Sequence, residues 1–249
     1  MIENDYFLLE TGQATDTGRV RSHNEDSHLS RPDFGLWVVA DGMGGHDAGD
    51  FASQSITTEA ASVGLSSSLT DLEARFMQRL QRANDSIRRK SESLGGATVG
   101  ATLVALLVHE DQQACIWSGD SRIYRLRGGQ LQQLTEDHTE VQALVSSGAI
   151  SKEEARVWPR RNIITRAIGV TPVPHCDMRV DGIRVDDTFL LCSDGLTEHL
   201  TDDDLAQMMA RRDLHPQAIC NALIAETLER GAKDNVTCIL VRCHARPDA

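Results

Sequence analysis

The chain has 249 residues, and its hydrophobic fraction of 40% and charged fraction of 25% are typical of a folded globular protein rather than a disordered one. Its 25 basic and 37 acidic residues leave a net charge of −12, which argues against nucleic acid as a main partner because phosphate binding needs a basic surface. No apolar run is long enough to span a bilayer and the acidic N-terminus lacks a signal-peptide pattern, so we expect a cytoplasmic protein that does not bind membranes.

The first part of the chain is predicted to contain three strands followed by two helices. Strand patterns cover 11–21, 26–30 and 35–40, and a helical region follows over 48–63. Thr70 and Glu73 form a capping-box pattern that predicts the start of the second helix. Apolar residues at spacings of three and four predict one buried face on this helix: Leu72, Phe76, Leu80, Ala83 and Ile87.

The remainder is predicted to be mostly strands. Four of them cover 101–108, 114–118, 122–126 and 130–134, with Gly128-Gly129 as a hairpin turn between the last two. In the mixed stretch 138–166, Ser151 and Glu154 form another capping-box pattern. Strands over 175–180 and 187–192 are followed by helices over 202–209 and 216–229 and by a last strand over 236–242.

These elements favour an α+β fold. Predicted hairpins outnumber strand–helix–strand crossovers, which indicates antiparallel sheets with helices on their outer faces. No repeat, low-complexity tract or linker divides the chain, so we expect a single domain over 1–249. The six cysteines include no C-x-x-C pair and most lie in apolar runs, which favours reduced core thiols over disulfides or a zinc site.

Four aspartates share one sequence context. Asp41, Asp120 and Asp194 follow the apolar runs GLWVVA, QACIWSG and TFLLCS, and Asp234 precedes the run NVTCILVR. Such strand ends can lie on the same rim of antiparallel sheets, where carboxylates repel one another unless cations neutralise them. Oxygen ligands favour Mg²⁺ or Mn²⁺ over zinc. Any one of these aspartates is better explained as a turn former at a strand end, but the four together favour a metal site.

Arg21 points to a phosphate ligand beside the predicted metal site, and the glycines after Asp41 indicate a close approach of the backbone to a ligand there. Arg21 stands four residues before Glu25 in a segment predicted as a strand, where residues four apart share a face. A guanidinium beside carboxylate-held cations matches the oxygens of a phosphate dianion. Gly42 indicates that backbone approaches a ligand closely. The alternative for Arg21 is a surface salt bridge.

Seven stretches occur in the order found in a known family. The chain resembles the metal-dependent PPM (type 2C) protein serine/threonine phosphatases, in their compact bacterial form, from about residue 15 to residue 241. This resemblance implies an α-β-β-α sandwich, with two packed antiparallel sheets flanked by helices and a flap over 146–162 beside the active site. The stretches are TDTGRVRSHNEDS, VVADGMGGHDAG, GATLVALLV, WSGDSRIYRLRGGQLQQLTEDHT, RNIITRAIG, LLCSDGL and DNVTCILV.

The resemblance also implies a set of metal ligands. Asp41 would bridge two Mn²⁺ or Mg²⁺ ions, and Asp194 and Asp234 would complete the shell of the first. Glu25 would hold waters on the second ion, and Asp120 would bind a third ion that Asp194 shares. The Gly42 carbonyl would contribute to one of the bridged ions, and Asp26 would orient the shell.

The expected chemistry is direct hydrolysis. Two cations can hold a water between them, lower its pKa and clamp a phosphate, which Arg21 would bind, so that no phosphoenzyme is needed. No cysteine lies in a C-x-x-x-x-x-R loop, which agrees with this mechanism. Relatives often carry a histidine two residues after the bridging aspartate as general acid, but here that residue is Met43. His46 is the nearest candidate, and its alternative role is to cap the following helix.

We therefore expect a monomeric phosphatase that acts on phosphoserine and phosphothreonine in proteins and reverses a Ser/Thr kinase. Two alternatives remain open. A catalytically silent docking module of the same fold would show gaps in the metal set. A small-molecule phosphoesterase would keep the metal site but enclose its substrate in a deep pocket.

Overall fold

The computed structural model describes residues 7–44 and 48–246, without the side chains of residues 152 and 156. In this part of the chain every strand pair is antiparallel, as predicted. The strands are β1 (Phe7–Asp16), β2 (Asp26–Arg31), β3 (Leu36–Met43), β4 (Gly100–Ala101), β5 (Leu103–His109), β6 (Gln112–Ser118), β7 (Arg122–Arg127), β8 (Gln130–Gln133), β9 (Asp177–Gly182), β10 (Thr188–Cys192) and β11 (Val236–Ala245).

The helices of the described residues are α1 (Ala48–Ala61), α2 (Leu69–Ser93), α3 (Glu140–Ser146), α4 (Lys152–Arg156), α5 (Asp194–Thr197), α6 (Asp202–Met209) and α7 (Pro216–Glu229). The bounds of α6 and α7 agree with the prediction to the residue. No helix in the described ranges is long and apolar enough to cross a membrane.

The two sheets form a sandwich with three apolar layers. One sheet has the order β1-β11-β10-β7-β8, and the other has the order β2-β3-β5-β6-β9 with β4 beside β3. Alternate residues of β3 face opposite sides, as strand geometry requires. Trp37 and Val39 pack in the layer between the sheets, whereas Leu36 and Val38 pack in the layer that contains α1 and α2. The third layer lies between the first sheet and helices α5, α6 and α7. The predicted α-β-β-α sandwich is confirmed.

The start of α2 differs from the prediction. Its N-cap is Ser68, whose Oγ accepts a hydrogen bond from the Asp71 amide at 3.1 Å, and Thr70 lies inside the helix. Ser68, Asp71 and their neighbours offered several overlapping capping patterns, and the hydrogen-bonded one starts two residues earlier. The predicted buried face of this helix is confirmed. The capping box of Ser151 and Glu154 is confirmed at α4, and Gly128-Gly129 forms the turn between β7 and β8.

The first strand also differs from the prediction. β1 begins at Phe7 and ends at Asp16, and Arg21 lies in the turn that follows. Gly18 produces this turn: its φ is +81°, and a Cβ there would lie 2.2 Å from the carbonyl oxygen of Asp234. Arg21 and Glu25 therefore do not share a strand face, and the strand argument for their proximity is wrong.

Candidate metal centre and active site

Asp41 lies near the end of β3, directly opposite Asp26 on β2. Its backbone is held by Thr102: the Thr102 amide donates to the Asp41 carbonyl at 2.8 Å, and the Asp41 amide donates to Thr102 Oγ1 at 3.2 Å. Burial raises the pKa of the Asp41 carboxyl well above its ordinary value, and the charges of the surrounding aspartates raise it further: Asp26, Asp194, Asp120 and Asp234. Asp41 therefore lies close enough to these four aspartates for their charges to act on it.

Asp194 reaches this cluster from the other sheet. β10 ends at Cys192, and Asp194 is the first residue of the short helix α5. Burial is the main cause that raises the pKa of Asp194 well above its ordinary value, with further contributions from Asp120, Glu198 and Asp234. A carboxylate in such surroundings is poorly solvated and has acidic neighbours, which are the conditions that a bound cation relieves.

Asp26 links the two sheets beside Asp41. The Ser193 hydroxyl donates to Asp26 Oδ2 at 2.8 Å and accepts from the Thr237 amide at 3.0 Å. Asp26 Oδ1 is buried and has no hydrogen-bond partner among the described residues. Burial raises the pKa of this carboxyl to about 6, although the hydrogen bonds from Ser193 and Thr237 oppose the shift. Asp26 thus presents an oxygen without a partner at the carboxylate rim.

Asn235 fixes the segment that carries Glu25. Its Nδ2 donates to the carbonyls of Thr17 and His23, and its Oδ1 accepts from the Glu25 amide at 2.8 Å. Its own amide donates to Asp234 Oδ1 at 2.8 Å. This role was not predicted from the sequence, where the only sign of it is the position of Asn235 directly after Asp234. The buried Asn235 therefore connects the segment that carries Glu25 to the segment that carries Asp234.

Glu25 and the Gly42 carbonyl face the same small space. A Cβ at Gly49 would lie 2.4 Å from Glu25 Oε1 and 3.0 Å from the Gly42 oxygen, so a larger residue there would displace the Glu25 side chain. Burial, followed by the charge of Asp50, raises the pKa of Glu25. This arrangement agrees with the two residues serving one ion, although Glu25 is reached through loop packing and not through a strand face.

Arg21 binds Asp234. Its Nη2 lies 2.6 Å from Asp234 Oδ2, and its side chain is 52% exposed. The hydrogen bond to Asp234 is the main cause that raises the pKa of Arg21. The guanidinium therefore stands at the open edge of the carboxylate cluster, where a phosphate can reach it. The sequence left open that Arg21 forms a surface salt bridge instead of binding phosphate. The salt bridge is present, and because its partner is Asp234 it also holds Arg21 beside the predicted metal site.

Asp120 lies in the short loop after β6. Burial raises its pKa to about 6, and the nearby charge of Asp137 acts in the same direction. The charge of Arg122 opposes this shift, although its guanidinium is paired with Asp137, with Nη2 2.6 Å from Asp137 Oδ2. The cationic side chain nearest in sequence is therefore already partnered, and Asp120 stays part of the acidic cluster.

The oxygen donors of this site are of the kind that hard divalent cations prefer. Among the described residues, no group of three or more His, Cys, Asp or Glu side chains is arranged as the ligands of one ion. The mutual repulsion of the carboxylates, the Asp26 oxygen without a partner and the close approach of Glu25 to the buried backbone of Gly42 and Gly49 agree with Mg²⁺ or Mn²⁺ chemistry. The individual ligand assignments stay predictions.

Two predicted features bear on catalysis less directly. His46 lies outside the described residues, so its role as general acid stays a prediction. In the flap segment, Arg160 Nη2 lies 3.5 Å from Glu140 Oε2 in an exposed ion pair.

All six cysteines are free, and burial raises the thiol pKa of Cys115 and Cys192 to about 12. These two thiols are therefore protonated near neutral pH and are poor nucleophiles.

The α-β-β-α sandwich with acidic side chains gathered at one rim defines the class of metal-dependent hydrolases that act on phosphate esters. The family description "Protein phosphatase 2C" matches residues 17–229 of the chain. The chain belongs to the protein phosphatase 2C family.

Several named proteins are similar to this chain. The serine/threonine phosphatase stp of Listeria monocytogenes is 38% identical over 238 residues, which cover 91% of this chain and 93% of that protein. The solved structure of PppA, described as a key regulatory component of the type VI secretion system in Pseudomonas aeruginosa, is 38% identical with a TM-score of 0.87 and covers 96% of this chain and 99% of its own.

A third similar structure contains metal. The catalytic domain of the serine/threonine protein phosphatase PstP in complex with two manganese ions is 33% identical, with a TM-score of 0.84. The match covers 96% of this chain and 99% of that one. The fold that carries the acidic rim here therefore carries two manganese ions in a relative.

Proposed function

We propose that this protein is a Mn²⁺- or Mg²⁺-dependent protein phosphatase that hydrolyses phosphoserine and phosphothreonine in other proteins and so reverses a Ser/Thr kinase. The observation that carries the proposal is the group of aspartates around Asp41, close enough for their charges to raise the pKa of Asp41 and Asp194, beside the exposed guanidinium of Arg21. Membership in the family and the names of its relatives support the activity.

The proposed metal set follows from the donors at the rim. Asp41 would bridge two ions, Asp194 and Asp234 would complete one shell, and the Gly42 carbonyl and Glu25 would serve the other, Glu25 through water. A third ion would lie between Asp120 and Asp194. When bound, the ions supply positive charge that neutralises the phosphate and activates the attacking water.

The chain's own residues bind and orient the substrate. Arg21 presents a planar set of donors to phosphate oxygens, and its salt bridge with Asp234 holds the side chain at the rim until substrate arrives. Thr102 and Ser193 hold Asp41 and Asp26 in place through their hydroxyl groups. Met43 has no proton to donate, so the leaving group needs another acid, for which His46 is our candidate.

A protein substrate fits this site better than a small enclosed one. Arg21 is half exposed, and the flap segment beside the rim carries short helices with exposed charged residues. The complete set of acidic residues disfavours a silent docking module. Strands of both sheets share the apolar layer between them, which supports our proposal of one catalytic domain over 1–249, with the flap over 146–162.

Release of phosphate from a phosphothreonine peptide tests the proposal. We expect turnover with Mn²⁺, none after EDTA treatment, and a loss of at least about a thousandfold in kcat/KM for Asp41→Ala, because a bridging ligand serves both ions. Asp111→Ala, which removes an exposed carboxyl on the β5–β6 turn, is the control and should match the parent. No turnover from folded, Mn²⁺-loaded protein would contradict the proposal.

A further inference from the structure

His138 joins the Asp120 loop to the base of the flap segment. It is 8% exposed, and its ring stacks on Trp117 with the ring centroids 6.2 Å apart and the planes at 18°. Trp117 is near the end of β6, three residues before Asp120. His138 itself directly precedes Thr139, which is the N-cap of α3. The imidazole is therefore packed between the site and the flap.

Two hydrogen bonds connect His138 to Gly119, the residue before Asp120. The Gly119 amide donates to His138 Nδ1 at 3.1 Å, and the His138 amide donates to the Gly119 carbonyl at 2.9 Å. Gly119 has a φ of +109°, and a Cβ there would lie 2.7 Å from the side chain of Thr102. The backbone that leads into Asp120 is thus held by His138 on one side and packed against Thr102 on the other.

The other ring nitrogen faces β9. Because Nδ1 accepts a hydrogen bond, the neutral ring carries its proton on Nε2, which lies 3.2 Å from Asp177 Oδ2 and donates to it. Arg166 Nη1 also lies 3.2 Å from Nε2, but a guanidinium only donates, so with this tautomer its hydrogen bond goes to Asp177 Oδ1 at 2.7 Å. The Thr165 amide donates to the His138 carbonyl at 2.7 Å. Burial lowers the pKa of His138, which agrees with a neutral ring.

We propose that His138 is a positioning residue: its Nδ1 fixes the backbone at Gly119 and thereby holds the Asp120 carboxylate in place for a divalent cation. The inference rests on the proposed function, because Asp120 is a metal ligand only there. Replacing a residue that orients a metal ligand without touching the metal typically lowers metal affinity by about 10- to 100-fold.

Two substitutions separate the two ring nitrogens. His138→Asn places an amide oxygen where Nδ1 lies, so it keeps the acceptor for Gly119 and loses the bond to Asp177. His138→Gln reaches the position of Nε2, so it keeps a donor for Asp177 and loses the acceptor for Gly119. The measurement is calorimetric titration of the EDTA-stripped proteins with Mn²⁺ alone, with thermal unfolding recorded beside it.

We expect His138→Gln to raise the Kd of one Mn²⁺ binding step about tenfold, and His138→Asn to keep the parent's value. Asp120→Asn should weaken the same step, and adding His138→Gln to it should cause no further loss, because both act on one ligand. Parent-like binding by His138→Gln, an additive loss in the double variant, or unchanged binding by Asp120→Asn would overturn the inference.

The matched pair keeps the test decisive when one variant does not fold. If His138→Gln is unfolded, weakened Mn²⁺ binding by folded His138→Asn overturns the inference, and parent-like binding supports it. The readout is binding and not turnover. A protein that shows the expected Mn²⁺ pattern but releases no phosphate from the peptide would contradict the proposed function and leave the role of His138 standing.

Discussion

Arg21 and Asp234 stand 213 positions apart in the sequence, yet their side chains meet at 2.6 Å. The turn at Gly18 and the side-chain amide of Asn235, which donates to the Thr17 carbonyl, bring the two segments together. The Arg21 guanidinium neutralises part of the charge of Asp234. A cation at Asp234 would compete for that carboxylate and leave the guanidinium available to a phosphate. We infer that the salt bridge keeps Arg21 close to its place of use.

Arg21→Ala should lower kcat/KM for a phosphothreonine peptide by about 10- to 100-fold, since a charge-assisted contact with the substrate is worth about 1.5–3 kcal/mol. Its thermal stability should stay close to the parent's, because an exposed ion pair contributes little. Arg19→Ala, which removes another exposed arginine of the same turn, is the control. Steady-state kinetics check this expectation. Equal losses in both variants would show that general charge, and not phosphate binding, is responsible.

At this scale the sequence predicted which residues lie near one another better than how they are held. The four aspartates and Arg21 were identified by their context, and the structure brings them together. Thr102, Ser193 and Asn235 act through hydrogen bonds to distant segments, and no local pattern predicts such partners. Glu25 was placed beside Arg21 by a strand argument that is wrong, because the chain turns at Gly18.

At the scale of elements, α2 shows what local patterns leave undecided. Its buried face was predicted correctly because Phe76, Leu80 and Ile87 repeat with the helical period. Its start was not, because the stretch SSSLTDLE offers more than one residue that can cap a helix. Ser68 is the residue whose backbone is extended and whose hydroxyl accepts from Asp71. Helix boundaries depend on this three-dimensional choice, although the bounds of α6 and α7 agree with the prediction.

Replacement of the true N-cap should be costly and replacement of the predicted one should not. Ser68→Ala is expected to lower the free energy of unfolding by about 1 kcal/mol, because an amide of the first turn loses its acceptor. Thr70→Ala should leave it unchanged or raise it by up to about 0.5 kcal/mol, since alanine favours helix interiors. Urea unfolding of the two variants measures both values. A larger loss in Thr70→Ala would restore the original prediction.

At the scale of the whole molecule, burying the charged carboxylates of the acidic rim lowers the free energy of unfolding. The fold class was predictable because hairpin patterns and apolar runs are local, but the depth at which the carboxylates are buried depends on the packing of both sheets. Asp26 and Asp120 each have a pKa raised to about 6 from an ordinary value of 3.8. The folded, metal-free protein therefore binds protons at these sites more tightly than the unfolded chain does.

This difference predicts the direction of a pH effect. Between about pH 4 and pH 6 the folded state holds more protons than the unfolded state, so the Asp120 contribution to stability falls as the pH rises and its full penalty is present above pH 6. In EDTA-treated protein, Asp120→Asn should therefore gain Tm relative to the parent as the pH rises from 4 to 7. Saturating Mn²⁺ at pH 7.5 should stabilise the parent more than this variant, since the ion binds only the folded state.

Asp111→Asn, at an exposed site, provides the control for a general charge effect. Its Tm difference from the parent should show no comparable change over this pH range. If the Tm difference between Asp120→Asn and the parent is the same at pH 4 and pH 7, burial does not destabilise the charged form of Asp120. The interpretation of the acidic rim would then be wrong.

The position of bound metal tests the central claim most directly. A crystal of the protein grown with Mn²⁺ should give anomalous difference peaks on both sides of the Asp41 carboxylate, one also contacted by Asp194 and Asp234 and the other by the Gly42 carbonyl. A third peak is expected between Asp120 and Asp194. Peaks held by other residues, or none beside Asp41 in a fully loaded crystal, would contradict the account of this rim as a phosphatase metal centre.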